Sequence, residues 1–166
     1  MNKDSTTNPY GTPSTTGPQP VGRSQQVTNS VVRALLKAPL LGRVVGRRLM
    51  ILHVVGRRTG RVFDIPVAYT HHDGALLIGT TLRPWVKNIR PDTPIQVSMG
   101  GPRHSADAEV ITDADEVVRL FEIVARDNRQ NARHNGIGFD ADGNPNKADL
   151  YQTWQRGGAI IRLVLR

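Results

Sequence analysis

Apolar and polar positions follow two different periods along this chain, and the change of period marks out its elements. From Asn29 the apolar residues Val31, Val32, Leu35 and Leu36 fall on one helical face, with Arg33 and Lys37 beside them. Asn29 or Ser30 can cap the start, and Pro39 ends the run. A shorter helical piece follows, apolar at Leu41, Val44 and Val45 and basic at Arg43, Arg47 and Arg48. The pattern then turns to that of strands. Leu49–Val55 is a buried-type run, Val62–Thr70 partly alternates, and His72-Asp73-Gly74 reads as a hairpin turn because Asp-Gly accepts positive φ. Ala75–Thr81 pairs back, Pro84–Arg90 suits one or two helical turns, and Ile95–Met99 is a further strand. Gly100-Gly101-Pro102 turns the chain into an alternating stretch, His104–Thr112. Asp113 with Glu116 three residues later starts a helix that runs to about Asn128, with Val117, Leu120, Phe121 and Val124 facing inward. Residues 129–148 read as a polar loop, and Ala159–Leu165 as a last strand. Short strands joined by hairpins, with few helices, predict an α+β fold built on a small barrel with flanking helices.

Residues 1–26 are Ser, Thr, Pro, Gly, Asn and Gln with almost nothing apolar. Such a segment cannot offset its ordering entropy by burial, so the expectation is a disordered tail followed by one domain over 27–166.

Charge changes the picture. Net charge is +8, and between Ser5 and Phe63 there is no acidic residue, while Arg23, Arg33, Lys37, Arg43, Arg47, Arg48, Arg57, Arg58 and Arg61 all fall there. An anionic partner follows: nucleic acid, a membrane surface or a phosphorylated cofactor. Aromatics make up only 5% of residues and no RNA-binding or zinc motif is present, which argues against nucleic acid. Cysteine is absent, so thiolate metal sites and disulfides are excluded. No apolar run reaches the roughly 18 residues of a membrane span, and no signal-peptide core is visible, so the expected location is cytoplasmic. The basic-apolar helix after Asn29 suits peripheral contact of residues 29–48 with the anionic inner face of a membrane; the plain alternative is a helix packed on the barrel.

The charge is densest in Gly56-Arg57-Arg58-Thr59-Gly60-Arg61, between two strands. Glycines let amides converge, the threonine adds a hydroxyl, and guanidinium forks bind phosphate oxygens in pairs. The spacing is not that of a Walker loop. Read by itself, the turn is either an anion cradle or a solvated basic hairpin. The pair His71-His72 points to opposite strand faces and makes a poor metal site. His53, His104 and His134 read as structural. Asp140-Ala141-Asp142-Gly143 has Gly138 where a calcium loop needs its first carboxylate, so it reads as an ordinary turn.

The basic turn, followed by Pro66 and then by Gly79-Thr80-Thr81, Pro84-Trp85-Val86-Lys87-Asn88-Ile89-Arg90 and Tyr151-Gln152-Thr153-Trp154-Gln155-Arg156, resembles the deazaflavin-dependent nitroreductase family. That family lies within the split β-barrel flavin/deazaflavin oxidoreductases, and the likeness covers roughly residues 30–166. It implies hydride transfer from reduced coenzyme F-420, a polyanionic deazaflavin, to a quinone-like or nitroaromatic acceptor. Carried over residue by residue, Arg57, Arg58, Thr59 and Gly60 would contact phosphate. Arg61 and Pro66 would lie along the coenzyme, Thr80 and Thr81 would hydrogen-bond near the deazaflavin, and Trp85 and Asn88 would shape the wall behind it. Tyr151, then Tyr69, would protonate the acceptor. The stretch Gly79-Thr80-Thr81-Leu82-Arg83-Pro84 is shorter than its family counterpart and lacks the usual lysine, a place Arg83 could fill. The alternatives are an FMN-dependent reductase of the same fold and a non-catalytic carrier of the coenzyme. Pairing as a homodimer is common in the superfamily.

Overall fold

A computed structural model describes residues 7–18 and 48–166. The helices expected around Asn29 and Leu41, and the membrane contact assigned to 29–48, lie outside the described residues.

The described residues form seven strands: β1 (Leu49–Val55), β2 (Val62–Ala68), β3 (Thr70–His72), β4 (Ala75–Thr81), β5 (Ile95–Ser98), β6 (Arg103–Ile111) and β7 (Gly158–Leu165). They form one sheet in the order β2-β1-β5-β6-β7-β4-β3. The helices are α1 (Ala114–Asp127), α2 (Arg129–His134) and α3 (Lys147–Gln155), with a short 3-10 turn at Val86–Asn88. This is the expected α+β class, a split β-barrel. Among the described residues no helix is long and apolar enough to cross a membrane.

The described residues divide into two units. One comprises 48–78, 83–110 and 161–166, the other 7–18, 79–82 and 111–160. In the first, alternation along β1 sends Met50, Leu52 and Val54 into a core with Val97 of β5 and Ala106 and Ala108 of β6. The opposite face of β1 carries Ile51, His53 and Val55. The pairs His53↔Asp64 and His53↔Gln96 place one residue of β2 and one of β5 beside that histidine. The β3–β4 turn has φ of 48° at Asp73 and 73° at Gly74, the two positive values of a type I′ hairpin.

In the second unit α1 starts where Asp113 accepts a bond from the Glu116 amide at 3.1 Å. Its inward stripe, Val117, Leu120, Phe121 and Val124, is buried as the periodicity requires. The Phe121 ring lies against Gly79, where an added Cβ would come within 2.7 Å of a ring carbon, so only glycine fits.

Two expectations are corrected in this unit. Residues 129–148 are not one loop. Asn128 caps α2 by accepting from the Asn131 amide, and Asn146 caps α3 by accepting from the Ala148 and Asp149 amides. Nor is all of 1–26 unheld. Ser14 donates through both its amide and its hydroxyl to Asp149 at 2.6 Å each, the Thr15 amide donates to the same carboxylate, and Asn8 donates to the Ala148 carbonyl. The Gly138 amide completes the ring of donors around Asp149, which is fully buried. The segment 7–18 is held mainly by hydrogen bonds, most of them to the Asp149 carboxylate.

Candidate functional site

The basic turn closes on itself before it offers anything to a ligand. The Gly56 amide donates to the Arg61 carbonyl at 2.8 Å, and the Gly60 amide, at φ of 65°, donates to the Gly56 carbonyl at 2.9 Å. The Arg61 amide donates to the Thr59 hydroxyl oxygen at 3.3 Å. The Arg57 amide donates across to the Asn88 side-chain oxygen at 3.1 Å. Four of the six amides in the turn are thereby committed, Gly60 among them. What remains for an anion is the Arg58 and Thr59 amides, the Thr59 hydroxyl proton and the arginine side chains.

Those side chains are available. Arg57, Arg58 and Arg61 are exposed and none has a carboxylate partner among the described residues. Arg61 stacks over the Phe63 ring at 5.7 Å. Beside the turn lies a pocket of about 340 Å³ lined by His53, Val55, Gly56, Arg57, Gly60, Asn88, Arg90 and the segment Thr93–Gln96. Arg90 adds a guanidinium that also lacks a carboxylate partner among the described residues. Four arginines elsewhere do pair with carboxylates: Arg162 with Glu109, Arg166 with Asp107, Arg119 with Glu116 and Arg126 with Glu122. Unpaired guanidiniums gathered at one concave place suit a phosphate or carboxylate, and the donor set fits the acidic tail of a phosphorylated cofactor. The site is too small to enclose a whole dinucleotide-sized molecule, so it fits that end of such a cofactor.

The structure brings Arg57, Gly60 and Asn88 together at this pocket, with Arg58, Thr59 and Arg61 in the same turn. Sequence reading did not single out Arg90 or His53 for it. Arg90 sits two residues past Asn88 and could have been found by that spacing. His53 is joined to the pocket only through strand register. Asn88, expected behind the cofactor, lines this pocket and also fixes the backbone of the turn through the Arg57 amide.

The other expected residues are not among those that line this pocket. Pro66 pairs with Ile51 on the same β2 face as Asp64. Trp85 is half-buried against the core of its own unit. Tyr69 is buried in that core, edge-on to His71 at 5.4 Å, and burial raises its hydroxyl pKa above the usual value. Thr80 and Thr81 end β4 and belong to the other unit, where the Thr80 hydroxyl donates to the Thr81 carbonyl at 3.3 Å. Tyr151 belongs to that unit too, buried on α3 between Trp154 at 5.0 Å and Tyr10 at 6.0 Å.

Residues 26–138 match the model of a protein family described as F-420H(2)-dependent quinone reductase. Among solved structures, a conserved hypothetical protein from Mycobacterium tuberculosis is similar with a TM-score of 0.51 at 16% identity, over 78% of this chain and 80% of that chain. A structure described as a domain-swapped dimer gives 0.51 at 12% identity, over 86% of this chain and 99% of that one. One described as an F-420 reductase gives 0.44 at 17% identity, over 81% and 92%. At such identities the likeness concerns the fold. No curated protein is similar enough to this chain to count as a match.

Proposed function

The chain belongs to the F-420H(2)-dependent quinone reductase family, and from that premise we propose that it reduces a quinone-like or nitroaromatic acceptor with the basic turn as the anchor of the coenzyme. The observation that carries the reading is the set of guanidiniums at one pocket, Arg57 and Arg90 on its lining and Arg58 in the adjoining turn, none paired with a carboxylate among the described residues.

Reduced coenzyme F-420, when bound, supplies the hydride. The chain itself supplies binding and orientation. Arg57, Arg58 and Arg90 hold the phosphodiester and carboxylates of the tail, with the Thr59 hydroxyl as a further donor. Asn88 keeps the Arg57 backbone in place, so that the turn is organised before the ligand arrives. On the strength of the resemblance, Thr80 and Thr81 serve the ring system, and Tyr151 protonates the acceptor. Burial makes Tyr69 a weaker acid than an ordinary tyrosine, because desolvation disfavours its ionised form.

Titrating the purified protein with coenzyme F-420 and, separately, with FMN tests the cofactor. Saturable binding of the deazaflavin at markedly lower concentration than FMN is expected, and the reverse order would assign the protein to FMN. Oxidation of the reduced coenzyme on adding menadione then separates an enzyme from a carrier.

A further inference from the structure

We propose that Ser98 is an activated nucleophile, giving this chain a second chemistry: cleavage of activated carboxylic esters that bear an anionic group, through an acyl-Ser98 intermediate. His53 Nε2 lies 2.7 Å from Ser98 Oγ, and His53 Nδ1 lies 2.7 Å from Asp64 Oδ1. Three neighbouring strands assemble this row. His53 on β1 is directly opposite Asp64 on β2 and Gln96 on β5, and Ser98 is two residues from Gln96, hence on the same face. Hydroxyl, imidazole and carboxylate therefore stand in hydrogen-bonded series, the arrangement by which a base activates a serine while a third group orients the base. An ionised carboxylate can only accept, so a neutral imidazole that donates from Nδ1 to Asp64 presents its Nε2 lone pair to the serine.

Accessibility fits the role. The His53 side chain is 7% exposed and Asp64 34%, while Ser98 is partly exposed, so the hydroxyl is reachable and the base is shielded. His53 also lines the pocket that holds Arg57 and Arg90, which would fix a carboxylate or phosphate on the substrate. The amides of Gly100 and Gly101, two and three residues beyond Ser98, hold no backbone hydrogen bond among the described residues.

The step balances with water as co-reactant. Ser98 Oγ adds to the ester carbonyl carbon as its proton passes to His53 Nε2. The carbon–oxygen bond to the alcohol breaks, and that proton leaves with the alcohol. Water then adds to the acyl carbon, its proton passing through His53 to Ser98 Oγ as the acyl bond breaks and the acid departs. The inference stands apart from the coenzyme reading, because it needs no bound deazaflavin.

The test uses the full chain, an alkyl fluorophosphonate probe with peptide mapping, and two esters, p-nitrophenyl acetate and p-nitrophenyl hemisuccinate. One adduct per chain on Ser98 is expected, with hemisuccinate showing the lower KM and inorganic phosphate raising it. Ser98→Ala should abolish labelling and lower p-nitrophenolate release at least tenfold while keeping its affinity for coenzyme F-420. Asp64→Asn should lower kcat at little change in KM, as expected of a residue that positions His53. Absence of the adduct on Ser98 in the wild-type chain, or release unchanged in a folded Ser98→Ala protein, overturns the proposal.

Discussion

Asn88→Asp separates charge from architecture at the basic turn. The side-chain oxygen of Asn88 accepts the Arg57 amide at 3.1 Å, and aspartate keeps an acceptor of the same reach. The turn should therefore retain its shape while the pocket gains a negative charge. For an anion seated about 6 Å from that carboxylate, at an effective dielectric of about 20–40, the repulsion is about 1.5–3 kcal/mol. A tenfold change corresponds to about 1.4 kcal/mol, so coenzyme F-420 should bind about 10- to 100-fold more weakly. Asn88→Ala removes only a neutral hydrogen bond of about 0.5–1.5 kcal/mol, and its loss should stay within about tenfold. Isothermal titration of the two variants at low and high salt reads both numbers. The gap between them should narrow as salt screens the added charge. If Asn88→Asp binds the coenzyme as tightly as wild type, no anion occupies this pocket and the electrostatic reasoning fails.

Four further outcomes follow from the packing. Asp149→Ala leaves the Ser14, Thr15 and Gly138 amides without their shared acceptor and should lower unfolding free energy by about 2–4 kcal/mol in urea titration, with residues 7–18 becoming protease-sensitive. Gly79→Ala forces a methyl to within 2.7 Å of the Phe121 ring and should cost about 1–3 kcal/mol, read as a lowered urea midpoint at unchanged slope. Tyr69 binds its proton more tightly folded than unfolded, so its contribution is whole below the ordinary tyrosine value of about 10 and is lost as pH rises above it; Tyr69→Phe should flatten that alkaline decline. Tyr151→Phe should lower kcat for menadione reduction with little change in thermal midpoint, and unchanged turnover would remove the tyrosine from the chemistry.

Elements set by short-range physics were legible in the chain. The β1 run matches its bounds at both ends, because continuous apolar residues between basic segments leave few registers open. The Asp73-Gly74 turn and the Asp113 cap rest on local backbone preferences and stand where the residues put them. The hairpin carrying the arginines, and the Asn88 block, were also visible. What failed to show was long-range. The Ser14 bonds to Asp149 span 135 positions, and composition alone makes that partner invisible. Helices α2 and α3 have polar sequences with weak apolar stripes, and their asparagine caps decide them. His53 read as a lone structural histidine because Asp64 and Ser98 become its neighbours only through the register of three strands.

A crystal structure of the protein with coenzyme F-420 bound is the most direct measurement. It should show the coenzyme's phosphate oxygens roughly 3 Å from guanidinium nitrogens of Arg57, Arg58 or Arg90, the distance of a charge-assisted hydrogen bond. A phosphate held elsewhere on the chain, with those arginines still facing solvent, would contradict the account.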